Sequence, residues 1–397
     1  METNPAFTGA RCTACDATVD GDDVAGRCPS CGGVLDAAYE LDAVDLEPTT
    51  LAARTTRSQW RYHELLPFSP EAAVTTMEGG TPLVPVPSLA EELGVAAVYV
   101  KDEGRNPTGT IDDRGQSVAV TAAKRAGASD VALASTGDDG QSAAAYAARA
   151  GLDSHTFVPS RATFTNKAMV NVHGGDMSVV EGRIDAAASA FADAVAEHDE
   201  WHPVQALSTP YPHEGLKTAY VEIAEALDWE TPDRVIHPTG RGAGLHAFRK
   251  AARELDALGL ASGTPKLYAA QAEGCAPIVR AFEEGREAYE PWDAPDTICG
   301  RIEIPDPAGG NLALDAIRET GGGAVAAPDP ETLEGATSLA GTAGLELSAS
   351  SGTAVAAAYA LAERGELDAD DTLVLVNAGA GSKDDDVLRS HLMSKGI

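Results

Sequence analysis

The sequence predicts an α/β protein with two units built on parallel sheets, preceded by a small zinc-binding ribbon. Three observations carry this reading. From about residue 94, short apolar runs alternate with longer amphipathic ones, so strands are spaced by helices and pair in parallel. Four cysteines stand near the N-terminus as two Cys-x-x-Cys pairs. Glycine-rich turns follow several strands, where ligands of such folds gather.

The ribbon comes first. Cys12-x-x-Cys15 and Cys28-x-x-Cys31 each form a knuckle that aims two thiolates at one point. Two knuckles joined by a short hairpin suit tetrahedral Zn²⁺. Four sulfurs leave no open coordination position, so the expected role is structural. Cys275 and Cys299 stand alone and read as buried small hydrophobes.

The alternation then runs in order. VAAVYVKDE is a strand, followed after Gly109 by a helix from about Asp113 to Arg125. DVALAS, SHTFVPS, DMSVV and HPVQAL read as strands, separated by GQSAAAYAARAG, RIDAAASAFADAVAEHD and further helices. The helix EGLKTAYVEIAEALDW leads to the strand DRVIHPTG, the helix AGLHAFRKAAREL, the strand KLYAAQAEG and the helix APIVRAFEEG. A helix over 350–364 and the strand TLVLVNAG close the pattern. The expected division is a ribbon at 1–40, a small α/β unit at 93–205, and a large one from 41–92 and 206–397.

Composition narrows the function. The chain of 397 residues carries 29 Lys and Arg against 61 Asp and Glu, a formal charge of −32. So acidic a surface repels nucleic acid and anionic membranes. Only eight of the basic residues are lysines. Dispersed acidity with little lysine suits a salt-rich cytoplasm, where screening removes the self-repulsion, and points to a halophile. METNPAFTGA has no apolar core of a signal peptide, and no run approaches the roughly 18 apolar residues of a membrane span. The expected location is cytoplasmic; a homodimer is compatible with such a protein.

Four strand-end loops are candidates for chemistry: Gly109 to Gly115, Ser135 to Ser142, Gly240 to Gly244, and Asn377 to Asp384. Gly240-Arg241-Gly242-Ala243-Gly244 is the clearest anion nest. Its glycines let backbone N–H groups converge, and the helix that follows adds the positive end of its dipole. Arg241 can add a fork of donors.

WRYHELLPF, MEGGTPLVP, VKDEGRNPTG, the segment from Tyr211 to Trp229, and YAAQAEGCAPIVRAFEEG resemble the threonine synthase family of fold-type II pyridoxal phosphate enzymes. The resemblance covers nearly the whole chain. It implies a tryptophan synthase β-like fold, with pyridoxal phosphate held between the two units. It also marks departures. The family's lysine, which holds the cofactor as a Schiff base, corresponds to Asp112, and a carboxylate cannot form an imine. The family Asn that contacts the cofactor's phenolic oxygen corresponds to Asp138. The hydroxyl residue near the pyridine nitrogen corresponds to Ala378, and a Glu-Pro pair to Ser348-Ala349. Lys101, Lys217 and Lys383 are the spare lysines, with Lys101 the best placed. Asp113 is expected to cap its helix and Arg114 to pair locally.

These residues put pyridoxal phosphate in question. The leading expectation is a threonine synthase-like protein without Schiff-base catalysis that binds a small phosphorylated or anionic ligand at Gly240–Gly244. The alternative is an active enzyme converting O-phosphohomoserine to threonine, or a related lyase. A third reading uses Asp112, Asp113 and Asp138 as acids, bases or Mg²⁺ ligands.

Overall fold

The structure, a computed structural model, describes residues 3–21, 24 and 26–396. Strands β1 (Phe7–Cys12), β2 (Thr18–Asp20) and β3 (Leu35–Tyr39) form an antiparallel ribbon in the order β2-β1-β3. The strands that follow are β4 (Leu83–Pro85), β5 (Ala97–Asp102), β6 (Asp130–Ala134), β7 (Asp153–Pro159), β8 (Asp176–Val180), β9 (Trp201–Pro203), β10 (Arg234–Pro238), β11 (Lys266–Ala272), β12 (Gly323–Ala327) and β13 (Thr372–Asn377). They make a six-stranded sheet, β12-β11-β10-β13-β5-β4, and a four-stranded sheet, β8-β7-β6-β9. Pairing is parallel throughout both, except that β4 runs against β5.

β5 departs from the expected division. It was read as the start of the small unit at 93–205, but it pairs with β13 and β4 in the larger sheet. Val98 and Val100 pack there in one core with Leu373 and Leu375, and that burial fixes the strand's place. HPVQAL is shorter than expected: β9 ends at Pro203, and Leu207, at φ 67°, turns the chain away. β12 escaped notice because GAVAA has little of the β-branched or aromatic character that marks a strand.

The helices Asp112–Arg125 and Tyr211–Ala226 cross so closely that only glycines fit. A Cβ on Gly215 would lie 1.9 Å from the Arg114 carbonyl oxygen, and one on Gly115 would lie 2.8 Å from that of Pro212. Beside this crossing Arg114 is fully buried. Its Nε donates to Glu103 at 2.6 Å, and its Nη2 to Glu222 at 2.7 Å. Lys101 donates to Glu222 at 2.6 Å and to the Thr81 carbonyl at 2.7 Å. Arg114 thus joins two sheet-facing helices and the end of β5, rather than pairing locally.

The ribbon is seated on the large unit. Tyr39 donates to Glu214 at 2.7 Å, and the amine of Lys217 lies 4.4 Å from the Tyr39 ring centre. Asp36 meets His246 Nε2 at 2.7 Å and His213 Nε2 at 2.8 Å. Arg249 donates to His246 Nδ1 at 3.1 Å. Since arginine only donates, that nitrogen is bare and the Nε2 proton faces Asp36. Burial alone would raise the Asp36 pKa, but the two imidazoles outweigh it and hold the carboxylate well below its ordinary value.

The four cysteines gather at the ribbon's end. Cys12 Sγ lies 3.5 Å from Cys31 Sγ, Cys31 lies 3.4 Å from Cys15, and Cys15 lies 3.7 Å from Cys28. A tetrahedron with Zn–S bonds of 2.3 Å has edges of about 3.8 Å. The tetrad therefore fits zinc with little adjustment, and a side chain on Gly33 would intrude, its Cβ 2.8 Å from Cys12 Sγ.

Candidate ligand-binding cleft

Three of the four strand-end loops leave adjacent strands. β10, β13 and β5 lie side by side in the large sheet, so the turns after Pro238, Asn377 and Asp102 open on the same edge. The loop after β6 faces them from the small sheet. Between them is a cavity of about 130 Å³ lined by Asp112, Asp138, Gly240, Arg241, Gly242, Ala243, Gly244 and Ala378. Every candidate residue of the cleft thus reaches one space.

The nest is built by β10 and the helix Ala243–Ala257. Gly242 has φ +89°, and a Cβ there would lie 2.4 Å from the Gly309 carbonyl oxygen. The first-turn amides have no helical carbonyl to donate to. Arg241 does not complete the expected fork: its Nη2 donates to the Ala134 carbonyl at 2.8 Å. The nest therefore offers backbone donors, while its arginine ties the large unit to the end of β6. His237 Nδ1 faces the Pro238 carbonyl oxygen at 2.7 Å. Burial pushes its pKa down to about 4, so the ring is neutral, and its Nε2 has no hydrogen-bond partner.

Asp112 opens the helix Asp112–Arg125 and accepts from the Thr110 hydroxyl at 2.9 Å. Burial first, and the Asp138 charge second, raise its pKa. Asp138 accepts from Arg301 Nη1 at 2.8 Å and from Lys383 at 3.1 Å. These cations outweigh burial and keep Asp138 below its ordinary value. Asp139 accepts from Gln116 at 2.6 Å; burial and the neighbouring Asp112 push it up to about 7. Among the described residues, neither Asp112 nor Asp139 has an ion-pair partner, in contrast to Asp138.

Asp113 does not cap its helix. It accepts from the Thr108 amide at 2.7 Å and from the Thr108 and Ser142 hydroxyls at 2.6 Å each, binding the first loop to the second. With Asp113 turned away and Asp138 held by cations, the three carboxylates do not form a metal cluster. Among the described residues, the groupings that can hold a metal are the cysteine tetrad and Asp36 with His213 and His246.

Sequence reading missed Arg301 and the serines. Arg301 comes from an irregular loop with no helical or strand period to mark it. Its Nε and Nη2 have no hydrogen-bond partner, although Nε lies 3.5 Å from Asp384. Ser348 and Ser350 line the cavity, and the Ser351 hydroxyl accepts the Ala378 amide at 2.9 Å. Hydroxyls thus stand near Ala378, although Ala378 brings none.

A cleft between two parallel-sheet units, with a glycine nest at a strand end, is the frame of the fold-type II pyridoxal phosphate proteins. Among solved structures the chain resembles a fungal L-serine ammonia-lyase from Rhizomucor miehei, at a TM-score of 0.67 and 21% identity over 78% of this chain and 97% of that one. It also resembles maize serine racemase, at 0.66 and 17% over 80% and 94%. The family model described as "Pyridoxal-phosphate dependent enzyme" matches residues 74–379. Proteins named threonine synthase from Methanosarcina acetivorans and Methanocaldococcus jannaschii are 36% and 35% identical, over 94% and 95% of this chain and 92% and 93% of theirs. The chain belongs to the pyridoxal-phosphate dependent enzymes, in the threonine synthase family.

The family's cofactor needs an amine for its imine, and the cavity does not supply one. Among the described residues no lysine lines it. Lys101 is held by Glu222 and the Thr81 carbonyl, Lys217 by Glu214 at 2.6 Å and Glu254 at 2.8 Å, and Lys383 by Asp138 and Gln141. Lys101, the expected best spare, is buried in the Arg114 network outside the cavity.

The raised acids make a stability prediction. Asp139 binds its proton more tightly in the folded chain, so its contribution to stability is greatest below about pH 4 and declines as pH rises through about 7. Asp139→Asn is expected to raise the unfolding free energy more at pH 8 than at pH 5, by on the order of 1–3 kcal/mol. Denaturant unfolding at both pH values reads the difference, and an equal change at both would contradict it.

Proposed function

We propose that this threonine synthase-like protein works without Schiff-base catalysis and binds a small phosphorylated ligand in the former cofactor cleft. The observation that supports the reading is a cavity that no described lysine lines, with Asp112, the residue corresponding to the family's lysine by resemblance, on its wall. The backbone nest at Gly240–Gly244 needs no side-chain chemistry, so phosphate recognition can outlast the lost reaction. The dispersed charge of −32 fits a protein that works in high salt.

The other reading is an active threonine synthase, the name its relatives carry. The two are separated by incubating the protein with pyridoxal phosphate, recording the absorbance spectrum, and treating with borohydride. The expected result is no aldimine band and no label fixed to the chain. A band that borohydride removes, with a labelled lysine peptide, would overturn the proposal. Asp112→Lys is expected to restore cofactor attachment but not threonine formation, because Arg301 and Lys383 still occupy Asp138. Product analysis that finds threonine from O-phosphohomoserine would show that this one amine was all that was missing.

A further inference from the structure

One cavity is lined by two kinds of group: the backbone of Gly240–Gly244, and the carboxylates Asp112 and Asp139, which among the described residues have no ion-pair partner and have one neutral donor each, Thr110 and Gln116. Both carboxylates are half-buried, so each is partly withdrawn from water without a countercharge in contact. Arg301 and Lys383 sit on Asp138; Arg241 donates to the neutral Ala134 carbonyl and acts on Asp139 and Asp112 only through space, with no ion pair to either. A separate polar group in the cavity is His237 Nε2, a bare acceptor beside Gly244, since Nδ1 donates to the Pro238 carbonyl. This residue is 6% exposed and lines the same cavity, yet that nitrogen has no partner.

The geometry points to a ligand that is a phosphate monoester carrying a primary ammonium, with the phosphate on the Gly240–Gly244 amides and the ammonium on Asp112 and Asp139. This rests on the phosphate-binding reading above and adds the other end of the ligand. A site that receives an aldehyde presents an amine. This one presents carboxylates, which complement the amine form of the same ring system and offer nothing to the aldehyde. Pyridoxamine 5′-phosphate is therefore the natural probe. The ammonium brings the charge that Asp112 and Asp139 lack.

Proton release follows. Asp112 faces Thr110, Asp138, Lys383 and Arg301; Asp139 faces Gln116, Arg241, Asp138 and Asp112. Burial and the Asp112 charge push Asp139 up to about 7, so it is partly protonated at neutral pH; burial and Asp138 raise Asp112. An ammonium seated between them displaces that proton, so binding should release a proton at pH 7, whereas a neutral alcohol should not.

The test is isothermal titration of the full chain with pyridoxamine, pyridoxine and pyridoxal 5′-phosphates, in two buffers of different ionisation enthalpy. The pyridoxamine ester is expected to bind roughly tenfold or more tightly than the pyridoxine ester, as one charge-assisted contact would give, and to release a proton. Asp112→Asn should bring the two esters within about twofold of each other. If that variant does not fold, Asp139→Asn carries the same expectation. Equal binding of all three esters by the unaltered chain would overturn the ammonium site and leave the phosphate reading standing. Tighter binding of the pyridoxal ester would also overturn the ammonium site. Failure of all three esters to bind at millimolar concentration would overturn both the site and the phosphate reading.

Discussion

Purified, reduced protein is expected to hold one zinc ion per chain, and stripping it is expected to loosen much more than the ribbon. The sulfurs of Cys12, Cys15, Cys28 and Cys31 already stand near the edge lengths of a tetrahedral shell. In isolated zinc fingers such a site supplies an apparent 10–16 kcal/mol, roughly, of binding free energy that is also folding free energy. Here the ribbon covers buried charges. Tyr39 and Asp36 supply partners to Glu214, His213 and His246, and Lys250 donates to the Ala37 carbonyl at 2.6 Å. Phe7, Ala10, Leu35 and Ala37 share one apolar core with Trp60, Leu66 and Phe68 of the body. A ribbon freed by chelation or by Cys28→Ser should therefore expose the helices Tyr211–Ala226 and Ala243–Ala257. Faster hydrogen exchange in both helices, with zinc release measured by a colorimetric chelator, is the expected outcome. Absence of zinc would contradict the metal site. Full metal release with unchanged exchange in both helices would contradict the coupling.

The alternation of strands and helices was legible in the sequence because each element is long enough to show its period. The cysteine spacing was legible because ligand geometry is local. The four loops were legible because glycine marks a turn whatever surrounds it. What escaped depends on contacts far apart in the chain. Val98 and Val100 of β5 look the same in either sheet; their pairing with β13, some 270 residues later, decides the matter. Arg241 sits in the nest by sequence, but its guanidinium is drawn to Ala134 on the other unit. Arg301 has no local pattern, and only the fold brings it to Asp138. Lys101 looked available because a strand end usually opens on a site, yet Glu222, 121 positions away, claims it.

Arg114→Met is expected to destabilise the protein by about 3–5 kcal/mol, since removing one member of a buried ionic group leaves uncompensated charge. Arg114 has no exposure, and neither has Glu103. Lys101 would remain as the sole cation facing Glu103 and Glu222, at 3.9 Å from the first and 2.6 Å from the second. In the unaltered chain burial favours a proton on Glu222, but Arg114 and Lys101 outweigh it and hold the pKa at about 2. That carboxylate therefore contributes stability above its unfolded value of about 4.3, and loses it as pH falls through about 2. Without Arg114, burial is opposed by Lys101 alone and the acids take up protons at higher pH than in the unaltered chain. The cost of the substitution should then be largest at pH 7 and shrink towards pH 4, because protonation relieves the stranded charge in the variant while the unaltered chain keeps its network. Glu222→Gln added to Arg114→Met should cost less than the sum of the two single changes, since the pair acts as a unit. Urea unfolding at pH 7 and pH 4 measures each term. A cost below about 1 kcal/mol, or one that does not vary between the two pH values, would mean that the four side chains do not act as a buried ionic network.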